Sequence, residues 1–192
     1  MQIADHILTA KKDTNVTLQA KVGNILSNTI TLNITWVVNG HVLPPEPDKA
    51  LNDSTLLGID VNDNGVRDDV ERWIYEEYKD KHPIHIDIGM QAARGYKLVL
   101  ETPAKAKEIR GVVNASIHCN WYYKGYAKFF NEPLLMKNDI NPSIFTKYFN
   151  TKERKNIYWQ YDTLLSGGSY ALPKIKTLKS FCDFNTSSYG KE

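Results

Sequence analysis

The chain changes its hydrophobic period at a cluster of prolines, and that change limits what it can fold into. Before Pro44, Pro45 and Pro47, apolar residues alternate with polar ones. Val16, Leu18, Ala20 and Val22 flank Thr17, Gln19 and Lys21, and Ile30, Leu32, Ile34, Trp36 and Val38 flank Thr31, Asn33 and Thr35. Period two with β-branched enrichment predicts half-buried strands. Asn39-Gly40 supplies the positive φ angles of a tight hairpin turn into His41-Val42-Leu43. The prolines interrupt regular structure, and PPEPDKALNDST reads as a linker.

After the linker the period becomes helical. A helix opening at Asp68 or Asp69 places Val70, Trp73, Ile74 and Tyr78 on one face and ends before His82-Pro83. The next stretch alternates at first, then turns helical through Ala92, Ala93, Tyr96 and Leu100, which predicts a helix from about Asp87. Thr102 as a cap and Pro103 in the first turn predict a third helix with Ile109, Val112, Val113, Ser116 and Ile117 buried, running to about Phe130. Asn150 with Glu153 forms a capping box for a fourth, carrying Ile157, Tyr158, Tyr161, Leu164 and Leu165 and stopping at Gly167-Gly168. The expectation is a mainly α protein: a helical bundle with a short N-terminal antiparallel β region. Residues 1–43 form the β region, 44–59 the proline-rich linker, and 60–192 a loop followed by the helical domain.

That loop carries the one strong chemical pattern. It reads Asp60-Val61-Asn62-Asp63-Asn64-Gly65-Val66-Arg67-Asp68-Asp69-Val70-Glu71. Calcium takes six to eight oxygens, and alternate residues of a tight loop supply them. Asp60, Asn62 and Asn64 offer side-chain oxygens from positions 1, 3 and 5, and Gly65 makes the bend at position 6. Val66 offers its carbonyl, Asp68 sits at position 9, and Glu71 at position 12 lies one turn into the following helix. An acidic helix start explains Asp68, Asp69 and Glu71 without a metal. It does not ask for the rest, and the joint match arises by chance in fewer than about one such chain in a thousand.

DVNDNGVRDDVERWI resembles the single EF-hand-like calcium loops of exported bacterial proteins, the thrombospondin type 3-like and dockerin-like repeats, over about 15 of the 192 residues. The resemblance implies Ca2+ held by Asp60, Asn62, Asn64, Val66, Asp68 and Glu71. Two positions depart from the paired pattern. Arg67 replaces the apolar residue through which paired loops meet, and STLLGI is too short for an entering helix. With one loop, the expected role is a structural clip and not a switching sensor. The WVVNGHVL stretch is similar to a piece of an immunoglobulin-like sandwich, but 43 residues hold too few strands for one, so a small sheet laid on the helical body is expected.

Charge separates along the chain while the net is only +2. Residues 44–80 hold eleven acids and four bases, whereas 124–192 hold eleven bases and six acids. No global field argues for nucleic acid. No stretch is long and apolar enough to cross a membrane, and MQIADHILTAKKD lacks the pattern of a leader. A calcium loop points to an extracellular or periplasmic location. Cys119 and Cys182 are either bonded, as export permits, or two buried thiols.

Other constellations are weaker. His82-Pro83-Ile84-His85 has no cysteine nearby to complete a zinc site. His118 and Cys119 are adjacent on a helix, so their side chains diverge. Ser166-Gly167-Gly168-Ser169 is a helix stop and not a nucleophile elbow. Tyr122, Tyr126, Phe129 and Phe130 fall at helical spacing and are expected in the core; the alternative is a ligand surface using Trp121, Tyr123 and the lysines Lys124 and Lys128. Three roles follow: a calcium-binding exported protein whose ion is structural, a surface module recognising a protein or glycan, or an enzyme with a site that no motif reveals.

Overall fold

The computed structural model describes residues 2–4, 7–9, 14–137 and 141–189, with the side chains of residues 2–4, 7–9, 14, 141 and 142 left undescribed. Strands β1 (Gln2–Ala4) and β2 (Ile7–Thr9) pair antiparallel, as do β3 (Thr14–Val22) and β4 (Ile25–Ile34), and β5 (Val37–Val38) and β6 (His41–Val42). Seven α-helices follow among the described residues: α1 (Lys49–Asp53), α2 (Asp68–Tyr78), α3 (Ile84–Glu101), α4 (Ala106–Val113), α5 (Ala115–Trp121), α6 (Asn141–Tyr148) and α7 (Lys152–Leu165). The protein is mainly α.

Helix α3 is the axis of the core and touches α2, α4, α5, α6 and α7. Its Ile84, Ile86, Ile88, Ala93, Val99 and Leu100 are all buried, so apolar residues cover most of its circumference, leaving Asp87, Arg94, Lys97 and Glu101 on the part that reaches solvent. That explains why α3 starts at Ile84, directly after Pro83, and not near Asp87. The alternation of Ile84, Ile86 and Ile88 is a short sample of a helix buried over most of its circumference. Gly95 permits close approach of α4, because a Cβ there would stand 3.2 Å from Val113 Cα.

The predicted helix from Thr102 to Phe130 is instead several pieces. Thr102 makes no capping bond to the next helix; its hydroxyl donates back to the Leu98 carbonyl at 3.1 Å. Asn114 separates α4 from α5, letting both cross α3. A π-turn follows at Tyr122–Tyr126, then a 3-10 turn at Ala127–Phe130. A π-turn adds a residue per turn and so rotates the phase of everything beyond it. Tyr123 is therefore core at 1% exposure, while Phe129, at 68%, faces solvent, the reverse of the helical expectation.

The β region also differs from expectation. β3 and β4 pair with each other as an exposed ribbon; Val22, Ile25, Leu26 and Ile30 lie open to solvent, and the strands are not half-buried. The hairpin of β5 and β6 is what meets the helices. Asn39 and Gly40 turn it with φ of 50° and 79°, Val38 and Leu43 are buried, and Trp36 Nε1 donates to Glu76 Oε1 at 2.6 Å.

The linker is more ordered than its prolines suggest. Asp48 caps α1, accepting from the Leu51 N–H at 2.9 Å. Arg154 of α7, fully buried, then gathers the chain that follows. It donates to the carbonyls of Asn52 (2.7 Å), Thr55 (3.0 Å) and Leu56 (2.9 Å), to Asp53 Oδ1 (3.1 Å) and to Asn150 Oδ1 (2.5 Å). Asn150 is thereby engaged with this arginine and Asp53, and the cap of α7 is Thr151, whose hydroxyl accepts from the Arg154 N–H at 3.2 Å.

Cys119 and Cys182 are joined. The bridge ties the C-terminal 3-10 turn Ile175–Phe181 to α5, and closes a loop of 63 positions that contributes about 4 kcal/mol on a chain-entropy basis. Arg94 to Asp183 at 2.8 Å and Gln91 Nε2 to the Phe181 carbonyl at 2.6 Å hold the same segment to α3. Among the described residues no helix is long and apolar enough to cross a membrane.

Two predictions follow from this packing. Arg154→Ala strands several buried carbonyls and Asp53, and should cost on the order of 3–5 kcal/mol in denaturant unfolding, with faster amide exchange across residues 48–58. The second concerns His118, packed between Trp121 and Phe181, with a buried Nδ1 that has no partner among the described residues. Burial, and then the charge of Arg110, hold its pKa below the usual histidine value. The unfolded chain therefore takes up the proton first, so this contribution to stability is present above about pH 6.5 and is lost as pH falls through the depressed folded value. Acidification from about pH 7.5 to about pH 5 should lower Tm more in the native protein than in His118→Phe.

Candidate functional site: the Asp60–Glu71 loop

The loop begins where Ile59 leaves the linker and ends inside the first turn of α2. Its entrance is fixed by two bonds: the Ile59 N–H donates to Asn52 Oδ1 at 2.9 Å, and the Asp68 N–H donates to the Ile59 carbonyl at 2.8 Å. Gly58 precedes it with φ +73°, and a Cβ there would fall 2.2 Å from Arg67 Cδ, so only glycine fits beside that side chain.

Within the loop the backbone N–H groups point at the acidic and amide side chains. Asp60 accepts from the Asn64 N–H at 3.1 Å and the Gly65 N–H at 3.0 Å. Asn62 Oδ1 accepts from the Asn64 N–H at 3.3 Å, and Asn64 Oδ1 from the Val66 N–H at 2.9 Å. Asp68 closes the ring, accepting from the Val61 N–H at 3.1 and 3.2 Å. The bends fall at Asp63 and Gly65, with φ of 52° and 82°. Left-handed backbone favours glycine at the second and is tolerated by aspartate at the first.

Glu71 reaches back into this ring. Its Oε2 accepts from Asn64 Nδ2 at 2.6 Å and Asn62 Nδ2 at 3.2 Å, and its Oε1 lies 2.8 Å from His41 Nε2. Thus Asp60, Asn62, Asn64 and Glu71 are joined through one hydrogen-bond network, which Val66 enters through its N–H, and Asp68 holds the neighbouring Val61 N–H. Val66 buries its side chain completely in the core, which leaves its backbone as its polar contribution to the loop. Among the described residues no group of three or more His, Cys, Asp and Glu side chains is gathered as for a metal. The candidate donors here are three carboxylates, two amides and a carbonyl.

The electrostatics are uneven. Asp68 and Glu71 have no solvent exposure. Burial raises the Asp68 pKa to about 6 against the lowering effect of the Val61 N–H, with the charges of Asp60, Glu71 and Asp69 adding to the rise. The cations beside these carboxylates are few: His41 on Glu71, charged only when protonated, and Lys97 Nζ at 3.6 Å from Asp60.

Arg67, at position 8, was the departure from the paired pattern, and its side chain leaves the loop altogether. Buried at 2% exposure, it pairs with Asp69 and donates to the carbonyls of Tyr148 (3.1 Å) and Lys147 (3.3 Å) at the end of α6, with its guanidinium 5.1 Å from the Tyr148 ring. Four residues of the site were not evident from sequence: His41, Asn52, Lys97 and Arg67 in this anchoring role. His41 and Asn52 come from the hairpin and linker, where no local pattern announces a contact with Glu71 or Ile59. No family model, curated protein or solved structure matches the chain.

The tight bend carries its own prediction. Gly65→Ala forces a side chain into left-handed backbone and puts a Cβ 3.4 Å from Arg94 Cγ. It should destabilise the protein by about 1–2 kcal/mol in denaturant unfolding, more than the same change at solvent-exposed Gly111, which lies in a helix and should gain stability.

Proposed function

We propose that Asp60–Glu71 binds one calcium ion and that the ion is structural, holding the linker and hairpin to the start of α2. The observation that carries this reading is the loop's own bonding: Glu71, fully buried, accepts from the amides of Asn62 and Asn64, Asp60 accepts from the Asn64 and Gly65 N–H groups, and Asp68 is fully buried beside them, with His41 and Lys97 as the neighbouring cations. An uncompensated buried carboxylate costs several kcal/mol, and a hard divalent cation offsets that cost with the ligand type present here. The donors would be the carboxylates of Asp60, Asp68 and Glu71, the side-chain oxygens of Asn62 and Asn64, and the Val66 carbonyl. The amide nitrogens that Asn62 and Asn64 now direct at Glu71 supply part of the positive charge that a cation would supply more fully.

The remainder of the reading is compartment and role. Three ligand carboxylates on an unpaired loop suit affinities between micromolar and millimolar, useful where calcium is abundant. The Cys119–Cys182 bridge suits the oxidising side of a membrane. Both support an exported, extracellular or periplasmic protein whose helices form a bundle around α3.

Calorimetric titration tests the site: Asp60→Ala and Glu71→Ala should each abolish tight calcium binding, and unchanged affinity in both would remove the assignment. At calcium about a hundredfold above its dissociation constant, linkage should raise stability by about 2.7 kcal/mol. Chelation should speed amide exchange across residues 55–72 and leave residues 103–165 protected. Exchange spreading through the later helices would mean a calcium-driven conformational switch in place of a clip.

A further inference from the structure

Away from the loop, α3, α5, α6 and α7 leave between them a cavity of about 640 Å³, a volume typical of small-molecule sites. We propose that this cavity binds a neutral sugar, with a pyranose ring laid against its aromatic walls. Tyr158 of α7 meets Phe145 of α6 edge-to-face at 4.6 Å and Trp159 at 5.5 Å, so adjoining walls stand at steep angles of 77° and 71°. Trp159 is 58% exposed, although it stands beside the cavity on a helix whose Tyr161 is core. Core packing does not account for an indole left open to solvent in that place.

The polar lining narrows the chemistry. Asn114, Thr146 and Asp162 reach the same cavity, and Tyr161, 97% removed from solvent, forms part of its wall. The buried Tyr161 hydroxyl has no hydrogen-bond partner among the described residues. Among the described residues one carboxylate and no lysine, arginine or histidine line the space, so an anionic ligand would meet repulsion without a counter-charge. An organic cation would suit the rings and Asp162. A quaternary ammonium, however, brings no acceptor for the buried Tyr161 hydroxyl and would leave it unpaired. A pyranose offers both kinds of surface. Its C–H faces carry the slight positive charge that an aromatic face attracts, and its edge of hydroxyls both donates and accepts. The site lies apart from the Asp60–Glu71 loop and does not depend on what that loop binds.

The test titrates the full chain, saturated with calcium, with neutral tetrasaccharides of glucose, mannose and N-acetylglucosamine, followed by calorimetry and by amide chemical shifts. At least one should bind saturably at millimolar concentration or below. Trp159→Ala should weaken that binding by about tenfold or more, as loss of a central aromatic anchor does, and Asp162→Asn should weaken it as well. Both side chains are exposed, so the variants should keep the native melting curve, and Leu164→Ala, exposed on α7 outside the cavity, should bind as the native chain does. Choline and oligogalacturonate serve as the cationic and anionic probes and should bind more weakly. The proposal is overturned if all three neutral sugars fail to bind, if Trp159→Ala binds them unchanged, or if choline or oligogalacturonate binds more tightly.

Discussion

Two guanidinium groups, those of Arg67 and Arg154, lie out of solvent, and the irregular chain leading into α2 is arranged around them. Burial, and then the neighbouring charge of Arg67, lower the Arg154 pKa, while Asp53 and Asp69 act in the other direction. Holding two like charges in one interior costs free energy unless every donor finds an oxygen. The carbonyls of Asn52, Thr55 and Leu56, the ends of α6 and the carboxylates of Asp53 and Asp69 supply those oxygens. The linker cannot relax without leaving a buried cation unsatisfied. It therefore delivers Ile59, and so Asp60, to a fixed place.

The direction of Arg67 matters as much as its burial. Had it turned into the loop, its charge would have offset the carboxylates of Asp60, Asp68 and Glu71. It runs instead to the C-terminal carbonyls of α6, where the helix dipole favours a cation. Asp68, Asp69 and Glu71 meanwhile occupy the first turn of α2, where the dipole favours anions. One arginine thus stitches loop to helix and leaves the loop its negative charge. The position that sets this loop apart from paired calcium loops strengthens the case for an unpaired one.

Legibility in the sequence followed the range of the interactions. The Asn39-Gly40 turn, the start of α2, and the end of α7 before a left-handed Gly167 are each set by a few adjacent residues, and each lies where its local pattern places it. The hydrogen-bond ring of Asp60 to Glu71 is equally local. Errors arose where distant contacts decided the outcome. The alternation of Ile84, Ile86 and Ile88 put the expected start of α3 near Asp87, because no local signal tells that five helices pack on this one. The π-turn at Tyr122–Tyr126 moved Tyr123 inward and Phe129 outward against a regular period. Asn150 has the residue type of a cap, but Arg154 and Asp53 claim its amide, and Thr151 takes the role. Strand alternation in β3 and β4 gave the pairing and not the burial, because burial needs a second layer, and it is the hairpin beyond that meets α2 through Asn39 and His41.

The same distinction argues for a clip over a switch. The core around α3 is built mostly from residues outside the loop, which enters it through Val66 and Val70, and the Cys119–Cys182 bridge lies outside the loop altogether. What the loop touches directly is the linker through Ile59, the hairpin through His41, α3 through Lys97 and the end of α6 through Arg67. The Arg67 contact is satisfied by backbone carbonyls and Asp69, so it keeps its partners whatever charge sits among Asp60, Asp68 and Glu71. His41 is different. It stacks on Tyr75 at 4.2 Å and holds Glu71 Oε1, so a cation that draws Glu71 further into the ring competes for that oxygen. A conformational response to the ion, where there is one, therefore runs outward to the β5–β6 hairpin and the ribbon beyond it, and not inward to the helices.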